Sequence, residues 1–157
     1  MNSVAQSLYS DGYFGNVCVD SMILSDNSVV PIVEINARKS MGFLNHSINN
    51  YFQRYKLNSH LRFFSVGINN SFVYEELLKN MSAEKILFKA DGKPGIIPLS
   101  SNALTINRDA HFKNQEVEKI FKGRLYISVG AKTTEEVDEL TLRLRMLLQK
   151  MNVVFYN

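Results

Sequence analysis

The stretch GRLYISVGAKTTEEVDELTLRLRMLLQKM, residues 123–151, restricts the fold of this chain more than any other. Tyr126 to Val129 is rich in aromatic and β-branched residues and reads as a strand. Thr133, with Glu136 three residues on, forms a capping box in which each side chain satisfies an unpaired backbone N–H of a helix start. Val137, Leu140, Leu144, Leu147, Leu148 and Met151 then line one helical face. Acids crowd the first turn, and Arg143, Arg145 and Lys150 lie toward the end, as the helix dipole favours. This is structural grammar without chemistry.

The rest of the chain alternates similar signals. NSVAQSLY places Val4, Ala5 and Leu8 at helical spacing, and Asp11-Gly12 ends that helix with turn chemistry. A strand is expected from Phe14 to Leu24, a turn at 25–28, and an antiparallel return over Val29 to Asn36. Leu44, Ile48, Tyr51, Phe52 and Tyr55 recur three and four apart, giving a helix whose other face carries Asn45, His46, Asn49 and Asn50. Asparagine is a poor helix former, so packing must hold this helix. LRFFSVGI (61–68) reads as a strand and SFVYEELLKN (71–80) as a short helix capped by Ser71. KILFK and IIPL read as a hairpin around the ADGKPG turn. His60 and His111 fall in polar loops. The fold class is α+β, an antiparallel β-sheet with flanking helices.

Composition narrows function by exclusion. The chain has 157 residues, 45% hydrophobic and 21% charged, which is enough for a buried core and too apolar for disorder. No run approaches a membrane span, and MNSVAQSLYSDG lacks the basic start and apolar core of a signal peptide, so the expected compartment is the cytoplasm, with no membrane partner. The single cysteine, Cys18, excludes an internal disulfide and a multi-cysteine zinc site, and its apolar neighbours suggest a buried thiol. Net charge is +3, with five basic and six acidic residues in 1–78 against thirteen and nine in 79–157. No clustered Arg/Lys stripe accompanies Phe63, Phe64, Phe72 and Tyr74, so no nucleic-acid partner is expected.

VVPIVEINARKSMGF, residues 29–43, carries the chemistry. Period two in a strand puts Glu34, Asn36 and Arg38 on one face, with Val33 and Ile35 on the other. A carboxylate and an amide oxygen fixed by a sheet suit a magnesium ion, which takes one or two carboxylates and leaves other positions to water and phosphates. An arginine one pitch further on suits a phosphate or carboxylate. Asp20, on the opposing arm of the hairpin, is placed to share the metal with Glu34. The same alternation also describes an edge strand with its polar side chains turned outward. Lys39 and Ser40, immediately after the motif, are candidates for contact with nucleotide or substrate, and His46 lies on the polar face of the helix that follows.

GYFGNVCVDSMIL followed by VVPIVEINARKSMGF resembles the C-terminal half of the nucleotide-binding core of the ATP-grasp superfamily. Those carboxylate-amine ligases and carboxylases close their core with a Gly-containing lead-in, a strand bearing Asp or Glu, a turn, and a strand reading Glu-x-Asn-x-Arg. The match covers roughly residues 1–55, about a third of the chain. The resemblance implies that 1–58 is the C-terminal portion of the core and that 59–157 is the accessory α+β C-terminal region of a peptide ligase. It makes Asp20, Glu34 and Asn36 ligands of magnesium or manganese and makes Arg38 the group that stabilises the transferred phosphoryl. Lys39 and Ser40 would contact ATP. In this family ATP phosphorylates a carboxylate and an amine attacks the acyl phosphate.

The lysine strands and Gly-rich loop that such enzymes close over ATP are not visible in this chain. The ADGKPG loop, with Pro94 inside it, reads as a turn. The expectation is a C-terminal fragment or subunit of an ATP-grasp ligase, inactive alone and completed by a chain carrying the N-terminal half. A non-catalytic ATP-grasp-like partner subunit or remnant is the alternative, and a small basic nucleic-acid binder is a weaker one.

Overall fold

The computed structural model describes residues 2–110 and 119–156. His111, expected in a polar loop, lies outside them. The chain divides into two compact units, 1–44 and 45–157. The expected boundary at 58 falls at the start of a strand inside the second unit.

In the first unit, α1 (Asn2–Ser10) ends where Gly12 adopts φ 81°. The Tyr13 N–H then reaches the Leu8 carbonyl and the Gly12 N–H the Tyr9 carbonyl, a Schellman closure that needs a residue tolerating positive φ. The strand expected from Phe14 is shorter at both ends: β1 is Cys18–Ile23. The Tyr13 hydroxyl donates to the Asn16 carbonyl at 2.8 Å, which folds 13–16 into a turn ahead of the strand. β2 (Val29–Asn36) returns antiparallel, as expected. Between the arms, Asn27 is left-handed at φ 64°, and the Asp26 carboxylate accepts from the Ser28 N–H and hydroxyl. Those two bonds hold the Asp26 carboxyl below its ordinary pKa.

The ladder is irregular. Cys18, Val19 and Asp20 pair with Asn36, Ile35 and Glu34, but Met22 pairs with Val30, so Ser21 opposes Pro31, Ile32 and Val33. Proline has no N–H to give the ladder, and its carbonyl accepts instead from the Ser21 hydroxyl at 2.7 Å. Within this two-stranded sheet Met22, Ile23, Val29, Ile32, Val33 and Ile35 are all exposed.

The unit boundary falls within α2 (Met41–Phe52), which a short 3₁₀ turn, Gln53–Tyr55, follows. The second unit is built on β3 (Asn58–Ile68), α3 (Tyr74–Ala83), β4 (Gly95–Pro98), α4 (Asn102–Ala110), β5 (Phe121–Ala131), α5 (Thr134–Lys150) and β6 (Val154–Tyr156). The sheet order is β4-β5-β3-β6, antiparallel throughout. Leaving α4 aside, this is the split β-α-β-β-α-β arrangement, with β3 and β5 at the centre. The chain is therefore α+β, with antiparallel sheets and flanking helices. Val66, Ile68, Leu125, Ile127 and Val129 face a core completed by Leu77 and Met81 of α3, Leu104 of α4, and Val137, Leu144 and Leu148 of α5.

The capping box of α5 forms with one change of partner. Thr133 Oγ1 accepts from the Glu136 N–H, while Glu136 Oε2 accepts from the N–H of Lys132. The asparagine face of α2 is not simply solvated. Asn49 Oδ1 accepts from the Ser59 N–H, and the Ser59 hydroxyl lies 2.5 Å from both Asn45 Oδ1 and the hydroxyl of the fully buried Ser128. These bonds, with the buried Phe52, supply the packing that a helix of poor formers needs.

Three expectations are corrected. His60 lies within β3, opposite Val129, because β5 runs alongside β3 for eleven consecutive pairs and extends the strand to Asn58. Ser71 does not cap α3. Its N–H and hydroxyl both bond to Asn69 Oδ1, and Val73 occupies the cap position with no side-chain bond. KILFK and IIPL do not form a hairpin: β4 pairs antiparallel with β5, and Leu87 meets Ile96 only in an isolated parallel bridge. Neither α4 nor β6 was among the expected elements.

Candidate functional site

The site expected on β1 and β2 is assembled by strand register. The Cα atoms of Asp20 and Glu34 are direct cross-strand partners, as are those of Cys18 and Asn36. Alternation then puts all four side chains on one face. Asn36 Nδ2 donates to Asp20 Oδ2 at 3.3 Å, which leaves the amide oxygen as its donor atom for a cation. The Cys18 thiol donates to Asp20 Oδ1 at 3.6 Å. Asp20 and Glu34 are exposed, and Cys18 and Asn36 are half-buried.

Cys18 was expected to be a buried structural thiol. It stands instead beside the carboxylates, and the spacing Cys18-x-Asp20 was the available signal, since residues two apart share a strand face. Its pKa is raised, first by desolvation and then by the Asp20 charge and hydrogen bond, with a smaller contribution from Glu34, while the Arg38 guanidinium pulls it back down. Arg38 lies past the end of β2. The Arg38 N–H turns back to the Asn36 carbonyl at 2.8 Å. None of Asp20, Glu34 and Arg38 takes part in an ion pair among the described residues.

The neighbouring candidates divide. Ser40 Oγ accepts from the Phe43 N–H at 3.1 Å, and its carbonyl accepts from the Leu44 N–H, so its hydroxyl caps the start of α2. Lys39 lies with its ammonium 5.7 Å from the centroid of the Phe43 ring, a cation–π contact. In the second unit, His46 lies within hydrogen-bond reach of Asn50 Nδ2, at 3.5 Å, one turn along α2.

Among the described residues no three His, Cys, Asp or Glu side chains gather as metal ligands. The set at β1–β2 is two carboxylates and an amide, all hard oxygen donors on one sheet face, which fits a magnesium ion that keeps water or phosphate at its other positions. It does not fit a closed, all-protein cage. No helix among the described residues is long and apolar enough to cross a membrane. Comparison with protein-family models, with curated proteins and with solved structures finds no match to this chain.

Proposed function

We propose that the chain contributes the metal and phosphate side of an ATP-grasp carboxylate-amine ligase, as a C-terminal fragment or subunit that works with a chain carrying the N-terminal half. The observation that carries this reading is the direct pairing of Asp20 with Glu34, with Asn36 beside them. In this reading the three would hold magnesium or manganese, and the ion would supply positive charge to offset the phosphates of ATP. Arg38, just past the end of β2, would stabilise the transferred phosphoryl or the acyl phosphate. Lys39 is the nearer candidate for a nucleotide phosphate, and Ser40 serves through the start of α2. Phosphoryl transfer asks little covalent help, so charge neutralisation and positioning are what such residues would supply.

The exposed apolar side chains on the β1–β2 pair also favour a partner. A two-stranded sheet is marginal alone, and a run of uncovered Ile and Val is a surface that a further protein would bury. The cytoplasm, where ATP and magnesium are abundant, is the compartment this role calls for.

Isothermal titration with Mg-ATP tests the division of labour. Binding weaker than micromolar by the chain alone is expected, and micromolar binding would show that the clamp is complete without a partner. In the assembled enzyme, Glu34→Gln with Asn36→Ala should cut ATP turnover roughly 100-fold or more. Unchanged turnover would favour the non-catalytic partner subunit.

A further inference from the structure

Among its described residues, the second unit leaves part of its sheet open. The core lies against one face of β3 and β5. On the other, Asn45, Asn49 and Phe52 of α2 cover the end at Ser59 and Gly130. The opposite end of that face carries Phe63, Tyr126, Tyr156, Lys122 and Arg124.

Their arrangement is specific. Phe63 and Tyr126 are direct partners on the two central strands, with ring centroids 5.7 Å apart and planes 35° from parallel, so the rings lie side by side. Phe63 is 57% exposed, which is unusual for a large aromatic at the middle of a sheet. Ser65 pairs with both Arg124 and Tyr156. A Cβ at Gly67 would fall 2.7 Å from the Tyr156 hydroxyl, so the glycine lets this ring lie across β3. Lys122 Nζ sits 5.0 Å from the Tyr156 centroid, and Arg124 Nη1 donates to the Tyr126 hydroxyl at 3.4 Å. Ser65, Lys122, Arg124, Tyr126 and Tyr156 also border a cavity of about 690 Å³. The strand positions of this face hold no Asp or Glu.

We infer that this face binds a single-stranded nucleic acid, with bases stacked on Phe63 and Tyr126 and phosphates held by Lys122 and Arg124. Aromatic rings on a sheet offer faces to any base, and flanking cations without acids select an anionic chain. A four-stranded sheet with aromatics on its central strands is a recurrent solution to that task. Two adjacent rings, with Tyr156 as a third, offer more stacking surface than one mononucleotide uses. The inference does not depend on the β1–β2 site, and it departs from the expectation of no nucleic-acid partner. That expectation looked for a local stripe, whereas Phe63 and Tyr126 meet only through the β3–β5 register.

Fluorescence anisotropy with labelled single-stranded RNA and DNA of about eight nucleotides, and with the matching duplex, tests it on the full chain. Binding of either single strand, weakened by salt and preferred over duplex, is expected, and an RNA preference would assign part of the contact to the 2′-hydroxyl. Phe63→Ala should weaken it about tenfold, and Arg124→Gln should lower the salt slope by about one. Both side chains are exposed, and circular dichroism melting checks that the variants stay folded. Failure of both strands to bind, binding unaffected by both substitutions, or equal binding of duplex would overturn the inference.

Discussion

Asp20 stands directly across the β1–β2 pair from Glu34, and Asn36 reaches back to donate to Asp20 at 3.3 Å. Like charges placed opposite one another oppose strand pairing. The donated amide offsets part of that repulsion and a divalent cation would offset the rest, so this short ladder is where cation binding and local stability should be coupled.

That coupling predicts opposite responses in two conditions. In chelator, Glu34→Gln should slow amide exchange across β1–β2 by up to about fivefold, the equivalent of about 1 kcal/mol at the top of the range for a cross-strand pair. In millimolar magnesium the wild-type ladder should gain protection and the variant should not. Hydrogen exchange followed by mass spectrometry reads both, and identical behaviour of the two proteins with and without magnesium would contradict the coupling.

A second prediction concerns the polar clamp under α2. Ser59→Ala removes the hydroxyl that meets Asn45 and the fully buried Ser128. Leaving the Ser128 hydroxyl without that partner should cost about 1–3 kcal/mol in urea unfolding. Removing both hydroxyls should cost less than the sum of the two single losses, because the double variant leaves no stranded group. Additive losses would show that the two serines act separately.

The Cys18 thiol supplies a pH-dependent prediction. Its pKa is raised, so the thiolate is scarcer than in a free cysteine at pH 8, and alkylation by iodoacetamide should be slower than for a model thiol. Asp20→Asn removes the neighbouring charge and the hydrogen bond but not the desolvation, so it should shift the rate profile partway back toward lower pH. Since the folded pKa lies above the unfolded one, this thiol adds no pH dependence to stability below that range. A profile unchanged by Asp20→Asn would show that the carboxylate does not govern the thiol.

What the sequence revealed follows the reach of its signals. The capping pair Thr133 and Glu136, the apolar stripe of α5 and the Asp26-centred turn of the β1–β2 hairpin are written within a few residues, and each forms. Asp20 was expected across from Glu34, yet the register set at the turn by Ile23–Val29 and Met22–Val30 would put it opposite Ile32, and only the irregularity at Ser21 brings the two carboxylates together. Elements defined by distant partners were not legible. IIPL was assigned to its nearest neighbour KILFK, but β5 offered a longer central strand, and β6 exists only against Ser65, Val66 and Gly67. Ser71 is a good cap by type, yet Asn69 two residues earlier takes its bonds. That α2 must be held by packing was legible, but not that Asn45 and Asn49 supply part of it, because their partner, Ser59, lies beyond the helix they sit on.

The most direct test of the site is paramagnetic broadening of backbone amide signals by substoichiometric Mn²⁺ in the full chain, in wild type and in Asp20→Asn with Glu34→Gln. Selective loss of signals from residues 18–20 and 34–36, reversed by excess Mg²⁺ and absent in the double variant, is the predicted result. Broadening spread over other acidic residues, or the same pattern in the variant, would contradict a metal site on β1 and β2.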